Sequence, residues 1–285
     1  MKFLVLGCNG MAGHIISIYL KEIGHETIGL AREESKYVDT IAMDVTDFNE
    51  LKKVVLEGNY DFIVNSIGIL NQFAEENHDQ AVILNSYLPH YLVKITQDIK
   101  TRIIHLSTDC VFSGKDGNYT EFSFPDGQTF YDRTKALGEI NDYKNITIRC
   151  SIVGPDIKEE GIGLLNWFMK QNNQIFGFRK AIWTGLTSLQ LAKTINLLSK
   201  SNAYGLFNMV PDIPINKYDL LKLFNKYIRK HPIEILPKDD FVLDKSLIRT
   251  RYDKFKYKMP DYETQVKELG EWMREHKEIY ENYDL

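Results

Sequence analysis

Lys2–Leu6 reads as a continuous apolar run that breaks into Gly7-Cys8-Asn9-Gly10-Met11-Ala12-Gly13 before a helical pattern, Ile15–Ile23, closed by Gly24. A strand without a polar side must be covered on both faces, which means a parallel sheet with helices above and below it. The first half of the chain repeats that rhythm. Thr27–Ala31, Thr40–Asp44, Phe62–Ser66, Ile103–Ser107 and Ile146–Cys150 read as further strands. Between them Asp47–Leu56, Asp79–Ile99 and Phe130–Asp142 carry helical periodicity; Asp47 is placed as an N-cap, and Pro89 should kink the long middle helix. Alternation at this spacing predicts an α/β fold built on a doubly wound parallel sheet.

Past Gly154-Pro155 the rhythm changes. Gly163–Lys170, Ser188–Ser199, Tyr218–Arg229 and Val266–Tyr280 read as helices, and the Lys/Tyr-rich stretch Arg249–Tyr262 has no clear period, as a surface loop would. The expected organisation is a nucleotide-binding domain over residues 1–155 and a smaller α-rich lobe over 156–285, partly interleaved with the first. Ligands in open α/β sheets bind at the carboxyl ends of the strands, where such a lobe can close over them.

Composition narrows the class. With 44% hydrophobic and 26% charged residues in 285, wholesale disorder is excluded. Thirty-five basic against 39 acidic side chains give a net charge of -4, so nothing draws the chain as a whole to nucleic acid or anionic lipid. Cys8, Cys110 and Cys150 are too few and too scattered for a disulfide framework or a zinc site, and no His pair has a ligand spacing, so no metal is expected. The apolar start is interrupted by Asn9-Gly10, short of a secretory signal, and no apolar run approaches the ~18 residues of a membrane span. A cytoplasmic protein is expected.

The glycines at 7, 10 and 13 sit at a strand-to-helix turn, where side chains would keep a pyrophosphate away from the backbone and from the free N–H groups of the helix behind. The spacing departs by one residue from the G-x-G-x-x-G fingerprint, and an ordinary turn with helper glycines is the alternative. Its place after the first strand favours a dinucleotide on a Rossmann-type fold, cradled by Gly7, Gly10, Met11, Ala12 and Gly13. Cys8 reads as a small filler. The second strand ends in Arg32, a cation suited to the 2′-phosphate of NADP, although Glu33-Glu34 follow and a plain surface arginine is the other reading. NADPH is therefore expected over NADH. Asp44-Val45 is placed to meet the adenine, or else simply turns the chain into a helix; Ile67, Gly68 and Ile69 after the fourth strand should pass beneath the cofactor.

Tyr131 and Lys135 lie four apart on a predicted helix, hence one turn apart on one face. An ammonium near a phenol favours the phenolate and so makes a poor acid usable near neutrality. The same spacing recurs at Tyr218/Lys222 and Tyr252/Lys256, but only Tyr131 opens the helix between the fifth and sixth strands and follows a hydroxyl pair, Ser107-Thr108, at a strand end.

These segments together resemble the extended short-chain dehydrogenases/reductases, and within them the dTDP-4-dehydrorhamnose reductase family. The carriers are Gly7-x-x-Gly10-x-x-Gly13, Ser107-Thr108-Asp109-Cys110-Val111-Phe112, Tyr131 through Glu139, and Arg149-Cys150-Ser151-Ile152-Val153-Gly154. The resemblance implies a catalytic triad of Thr108, Tyr131 and Lys135, with substrate contacts at Thr108, Asp109 and Ile152. It also implies an oxidoreductase that uses NADP(H) to reduce the 4-keto group of a nucleoside-diphosphate 4-keto-6-deoxy sugar, in polysaccharide biosynthesis. Two positions depart from the family pattern: Asp132 stands where a glycine is common, and Ile152 where rhamnose enzymes often carry an aromatic. Trp183 is a lobe residue that could meet the sugar or simply fill the core.

Three rivals share the motifs. A 4,6-dehydratase would follow the threonine with an Asp–Glu pair, which Cys110 argues against. A nucleotide-sugar 4-epimerase would use the same triad on retained NAD. A regulatory subunit like that of methionine adenosyltransferase would bind NADP without turnover. The expected partner is the nucleotide sugar, with no nucleic acid and no membrane; a homodimer is left open.

Overall fold

The computed structural model describes residues 1–285. Seven parallel strands form its central sheet: β1 (Lys2–Leu6), β2 (Glu26–Ala31), β3 (Asp39–Ala42), β4 (Phe62–Asn65), β5 (Arg102–Ser107), β6 (Ile146–Arg149) and β7 (Gly205–Asn208). Their order is β7-β6-β5-β4-β1-β2-β3. The chain winds outward from β1 through β2 to β3, then returns to β4 on the other side of β1. That reversal opens a crevice at the carboxyl ends of β1 and β4. Alternate residues of β1 feed two cores, as a strand buried on both faces requires. Phe3 and Val5 enter the larger cluster, shared with the second half of the chain, and Leu4 and Leu6 enter the smaller one.

The predicted helices are present with shifted ends. The first spans Met11–Glu22, because Gly10 already caps it; Asp47 caps Phe48–Glu57 by accepting from the Glu50 N–H at 3.0 Å. The long middle helix is three segments, His78–Ala81, a π-helical Val82–Tyr87 and Leu88–Thr96. Pro89 explains the irregularity: it has no N–H to give the carbonyl four residues earlier, that of Asn85, and the backbone widens there. The helix Phe130–Leu137 ends well before Asp142 at its cap, Gly138. A Cβ on Gly138 would lie 1.9 Å from that freed Asn85 carbonyl oxygen, so glycine is what lets the two elements touch.

The second half holds more strand than its sequence pattern predicts. Ser151–Val153 pairs with Gly185–Thr187, Ile175–Phe178 with Ile235–Lys238, and Ala181–Trp183 with both Ile215–Asn216 and Leu243–Asp244. Strands of two to four residues are too short to show a period of two. β7 also comes from this half. The stretch from Arg249 is not a loose surface loop: Arg249 is buried and donates to the carbonyls of Tyr257 and Phe255, and Phe255 and Met259 plug the core. The helices here are Leu164–Met169, Ser188–Ser199, Lys217–Tyr227 and Tyr262–Glu275, the second of which packs on Met11–Glu22.

Candidate functional site

The parallel sheet brings the ends of β1, β2, β4, β5 and β6 to one edge. Gly7 leaves β1 with φ +80°, a backbone open to glycine at little cost, and Gly10 donates back to its carbonyl at 2.9 Å. A Cβ on Gly13 would lie 2.1 Å from that same oxygen. The turn is therefore folded too tightly for side chains at either position. Gly10 caps the following helix without a side-chain acceptor and no acidic residue occupies the first turn, so the N-terminal N–H groups face an unneutralised positive end. Met11 and Ala12 are those first-turn residues. Cys8 is fully buried against Gly29 of β2, and burial pushes its thiol up; it is a filler.

Arg32 lies exposed just past β2. Asp44 is exposed and accepts from the N–H and hydroxyl of Thr46 at 2.9 and 2.7 Å, both through Oδ1, while Val45 beside it is buried. After β4, Asn65 accepts from the Ile67 N–H at 3.2 Å, and Ser66 donates to the Leu6 carbonyl at 2.5 Å, stitching this loop to the glycine turn. Gly68 reaches the opposite wall: a Cβ there would be 3.9 Å from the Lys135 ammonium.

Thr108 and Asp109 follow β5 and are buried, with the Thr108 hydroxyl 3.2 Å from Asp109 Oδ1. Tyr131, 6% exposed, has Thr108 beside its phenol. Lys135, 4% exposed, donates to the Leu106 carbonyl of β5 at 2.7 Å. Thr108, Tyr131 and Lys135 are thus brought together. The electrostatics differ from the sequence expectation. Burial pushes the Tyr131 phenol well up, Thr108 only partly offsets this, and Lys135, held by Leu106, is not among the groups acting on it. Burial also pulls the Lys135 ammonium down to about 8, against a smaller upward effect of Glu139. Asp109 is raised to about 6 by burial, with Lys245, Thr108 and Lys217 pulling the other way.

Asp132 has a structural reason. Thr129 and Asp132 form a capping box, Asp132 N–H donating to Thr129 Oγ1 at 3.1 Å and Thr129 N–H to Asp132 Oδ2 at 3.2 Å. Ile152 is half-buried just beyond β6 and packs on the large core. Trp183 is buried against Tyr262, ring centroids 5.4 Å apart, which makes it a core residue.

Three residues were not legible as site residues. Asn85 is fully buried in the π-helical segment; it binds the Ile69 N–H and C=O at 2.9 and 3.0 Å and the Thr134 hydroxyl at 3.1 Å. It thereby ties the loop after β4 to the Tyr131 helix, and its signal was a polar residue four before Pro89. Lys217 and Lys245 act on Asp109 from the second half of the chain; as lysines far away in sequence they carried no signal.

A glycine-tight turn at the switch point of a doubly wound sheet, with a buried Thr–Tyr–Lys group opposite, defines a Rossmann-type α/β protein with a nucleotide-binding crevice. The family model described as the RmlD substrate binding domain matches residues 1–156, and the chain belongs to that family. A probable low-salt glycan biosynthesis reductase of Haloferax volcanii is 31% identical over 143 residues, 49% of this chain and 48% of that protein. A dTDP-4-dehydrorhamnose reductase of Mycolicibacterium smegmatis is 26% identical over 142 residues, 48% of this chain and 40% of that protein. The match spans about half the length of these curated relatives. Among solved structures, a hypothetical dTDP-4-dehydrorhamnose reductase from Sulfolobus tokodaii superimposes with a TM-score of 0.76 at 25% identity, covering 92% of this chain and 98% of that one. The Bacillus anthracis dTDP-4-dehydrorhamnose reductase in complex with NADP reaches 0.79 at 19%, covering 94% and 98%. The UDP-glucose 4-epimerase of Thermotoga maritima shares the fold at 0.77 and 16%, covering 97% and 100%. No helix is long and apolar enough to cross a membrane.

Proposed function

We propose that this chain is an NADPH-dependent oxidoreductase that reduces the 4-keto group of a nucleoside-diphosphate 4-keto-6-deoxy sugar. The observation that carries the reading is the burial of Thr108, Tyr131 and Lys135 together at the sheet edge that also holds the glycine turn. The names of the curated relatives, reductases of glycan and deoxysugar synthesis, support it. The residues fit a dinucleotide: Gly7 and Gly13 leave no room for side chains, and the helix from Met11 offers its N-terminus. Gly7, Gly10, Met11, Ala12 and Gly13 would hold the pyrophosphate, Arg32 the 2′-phosphate, Asp44 and Val45 the adenine side, and Ile67, Gly68, Ile69, Tyr131 and Lys135 the nicotinamide half. When bound, the cofactor supplies the hydride.

The chain's own residues do the rest. Thr108 has one hydroxyl proton, which goes to Asp109; an incoming carbonyl oxygen competes for it and is positioned by it. Tyr131 is buried and firmly protonated, so it enters the cycle as the acid and delivers its proton to the developing alkoxide. Lys135, buried one turn along the same helix and donating to the Leu106 carbonyl, would add a positive charge to a site dry enough for it to count once the phenolate forms. Asp109 and Ile152 border the sugar. Lys217 and Lys245, free of ion pairs, would receive the diphosphate, and their approach to Asp109 sets them on the substrate side.

Tyr131→Phe should lower kcat by at least ~10²-fold, the scale of one general acid, with NADPH affinity within twofold of wild type. Tyr218→Phe and Tyr252→Phe should be nearly silent. Tyr218 lies under the Lys222 ammonium at 5.2 Å and Tyr252 donates to Asp212. Equal losses from all three would refute the assignment.

A further inference from the structure

Glu139 follows the Gly138 cap of the Tyr131 helix, and the mechanism above does not use it. It is nevertheless the hub of a buried polar cluster. Its Oε2 lies 2.5 Å from Arg149 Nη2 and its Oε1 2.8 Å from Arg149 Nε, with the two side chains 8% and 2% exposed. The Ser107 hydroxyl donates to the same Oε1 at 2.6 Å. Ser107 immediately precedes Thr108 at the end of β5, and Arg149 ends β6. One carboxylate therefore joins the Tyr131 helix to two strand ends. Arg149 in turn lies over the Phe112 ring at 4.9 Å, and Phe112 stacks flat on Tyr119 at 4.2 Å, which extends the joint into the loop after Thr108.

A buried ion pair contributes little net stability against a well-packed apolar pair, so stability alone is a poor reason for this arrangement. We propose that Glu139 is a positioning residue for the reduction: it fixes Thr108 relative to the Tyr131–Lys135 helix and supplies the counter-charge for the Lys135 ammonium. This rests on the reading of Lys135 given above. The titratable groups packed around Lys135 are few. Tyr131 shares its helix, and His105 of β5 is fully buried and held neutral by burial, by Lys135 and by His90. Glu139 is the one carboxylate acting on Lys135, and it acts upward. Removing its charge must then lower the pH at which Lys135 loses its proton.

The test is the pH profile of kcat/KM for wild type, Glu139→Gln and Glu139→Asp, alongside NMR titration of the Lys135 side-chain carbon next to the nitrogen. The alkaline limb of wild type should coincide with the NMR midpoint of Lys135, which burial draws down to about 8. In Glu139→Gln both the limb and the NMR midpoint should move down by about one pH unit, and Glu139→Asp should recover most of the shift. Because Glu139→Gln strands Arg149, Glu139→Gln/Arg149→Met is measured too; it leaves no unpaired charge and should show the same direction of shift. Unchanged midpoints in the folded variants would overturn the proposal. Absence of turnover by wild type would sink the reductase reading instead, while the NMR midpoints would still decide the role of Glu139.

Discussion

Arg32 illustrates what a single side chain can settle. It is exposed just past β2, makes no ion pair, and adds a small downward pull on the Asp44 carboxyl to that of the Thr46 N–H and hydroxyl. If it takes the 2′-phosphate, Arg32→Ala should weaken NADPH binding by ~1–3 kcal/mol and leave NADH nearly untouched, as isothermal titration with both coenzymes would show. Parallel weakening of both, or of neither, would make it a surface residue. Residues whose type and spacing carry chemistry were legible at this scale: the glycines at 7, 10 and 13, and Tyr131 with Lys135. The charge state was not. The expectation of an acidified phenol took account of the nearby lysine but not of burial, which outweighs every other influence on Tyr131. Lys217 and Lys245 escaped notice for a different reason: nothing in a lysine's neighbours along the chain says which distant loop it will face.

At the scale of elements, the first six strands could be read as short apolar or β-branched runs between helical stretches; β1, β4, β5 and β6 are buried almost throughout, β2 and β3 less so. The helices were read to within a turn at most ends, and their errors have causes. Capping decides where a helix stops, and Gly138 stops the Tyr131 helix five residues before the apolar pattern fades. The joint between that helix and the π-helical segment is a contact of backbone with backbone, Gly138 against the Asn85 carbonyl. Gly138→Ala should therefore cost about 1–3 kcal/mol by overpacking, read as a lower urea midpoint with an unchanged slope. An unaltered midpoint would mean the joint is slack. The short strands of the second half, and β7 in particular, could not be read, since two to four residues carry no period and their pairing is decided by tertiary neighbours.

Over the whole molecule, the last residues of the chain are wired to the first turn of the first helix. Trp272 Nε1–H donates to the Tyr280 hydroxyl, which donates to His14 Nε2 at 2.9 Å, and His14 Nδ1–H donates to the Gly10 carbonyl at 3.0 Å. That chain of donors requires a neutral imidazole. Burial lowers His14 from its ordinary 6.5 to about 4. Above pH 6.5 both folded and unfolded states are neutral; as pH falls the unfolded chain takes up the proton first, so stability is lost between about 6.5 and 4. The loss should amount to roughly 3 kcal/mol. Urea midpoints of wild type should fall over this window more steeply than those of His14→Gln, and parallel curves would contradict the account. Since His14 sits in the turn that follows Gly10, nucleotide binding should weaken over the same range.

The central claim concerns the reaction, and the direct measurement is NADPH oxidation against a panel of dTDP-, UDP-, GDP- and CDP-linked 4-keto-6-deoxy sugars, compared as kcat/KM. Ile152 offers no aromatic face, and a methyl-sized difference in fit is worth only ~1–3 kcal/mol, so several sugars of similar size should be turned over within about 10²-fold of one another. A preference above roughly 10³-fold for dTDP-4-dehydrorhamnose, ~4 kcal/mol in the transition state, would show that Ile152 does not set the specificity. The account predicts stoichiometric NADPH consumption with at least one member of the panel, abolished in Tyr131→Phe. Tight NADP(H) binding with no turnover of any sugar would contradict it and leave a binding protein in place of a reductase.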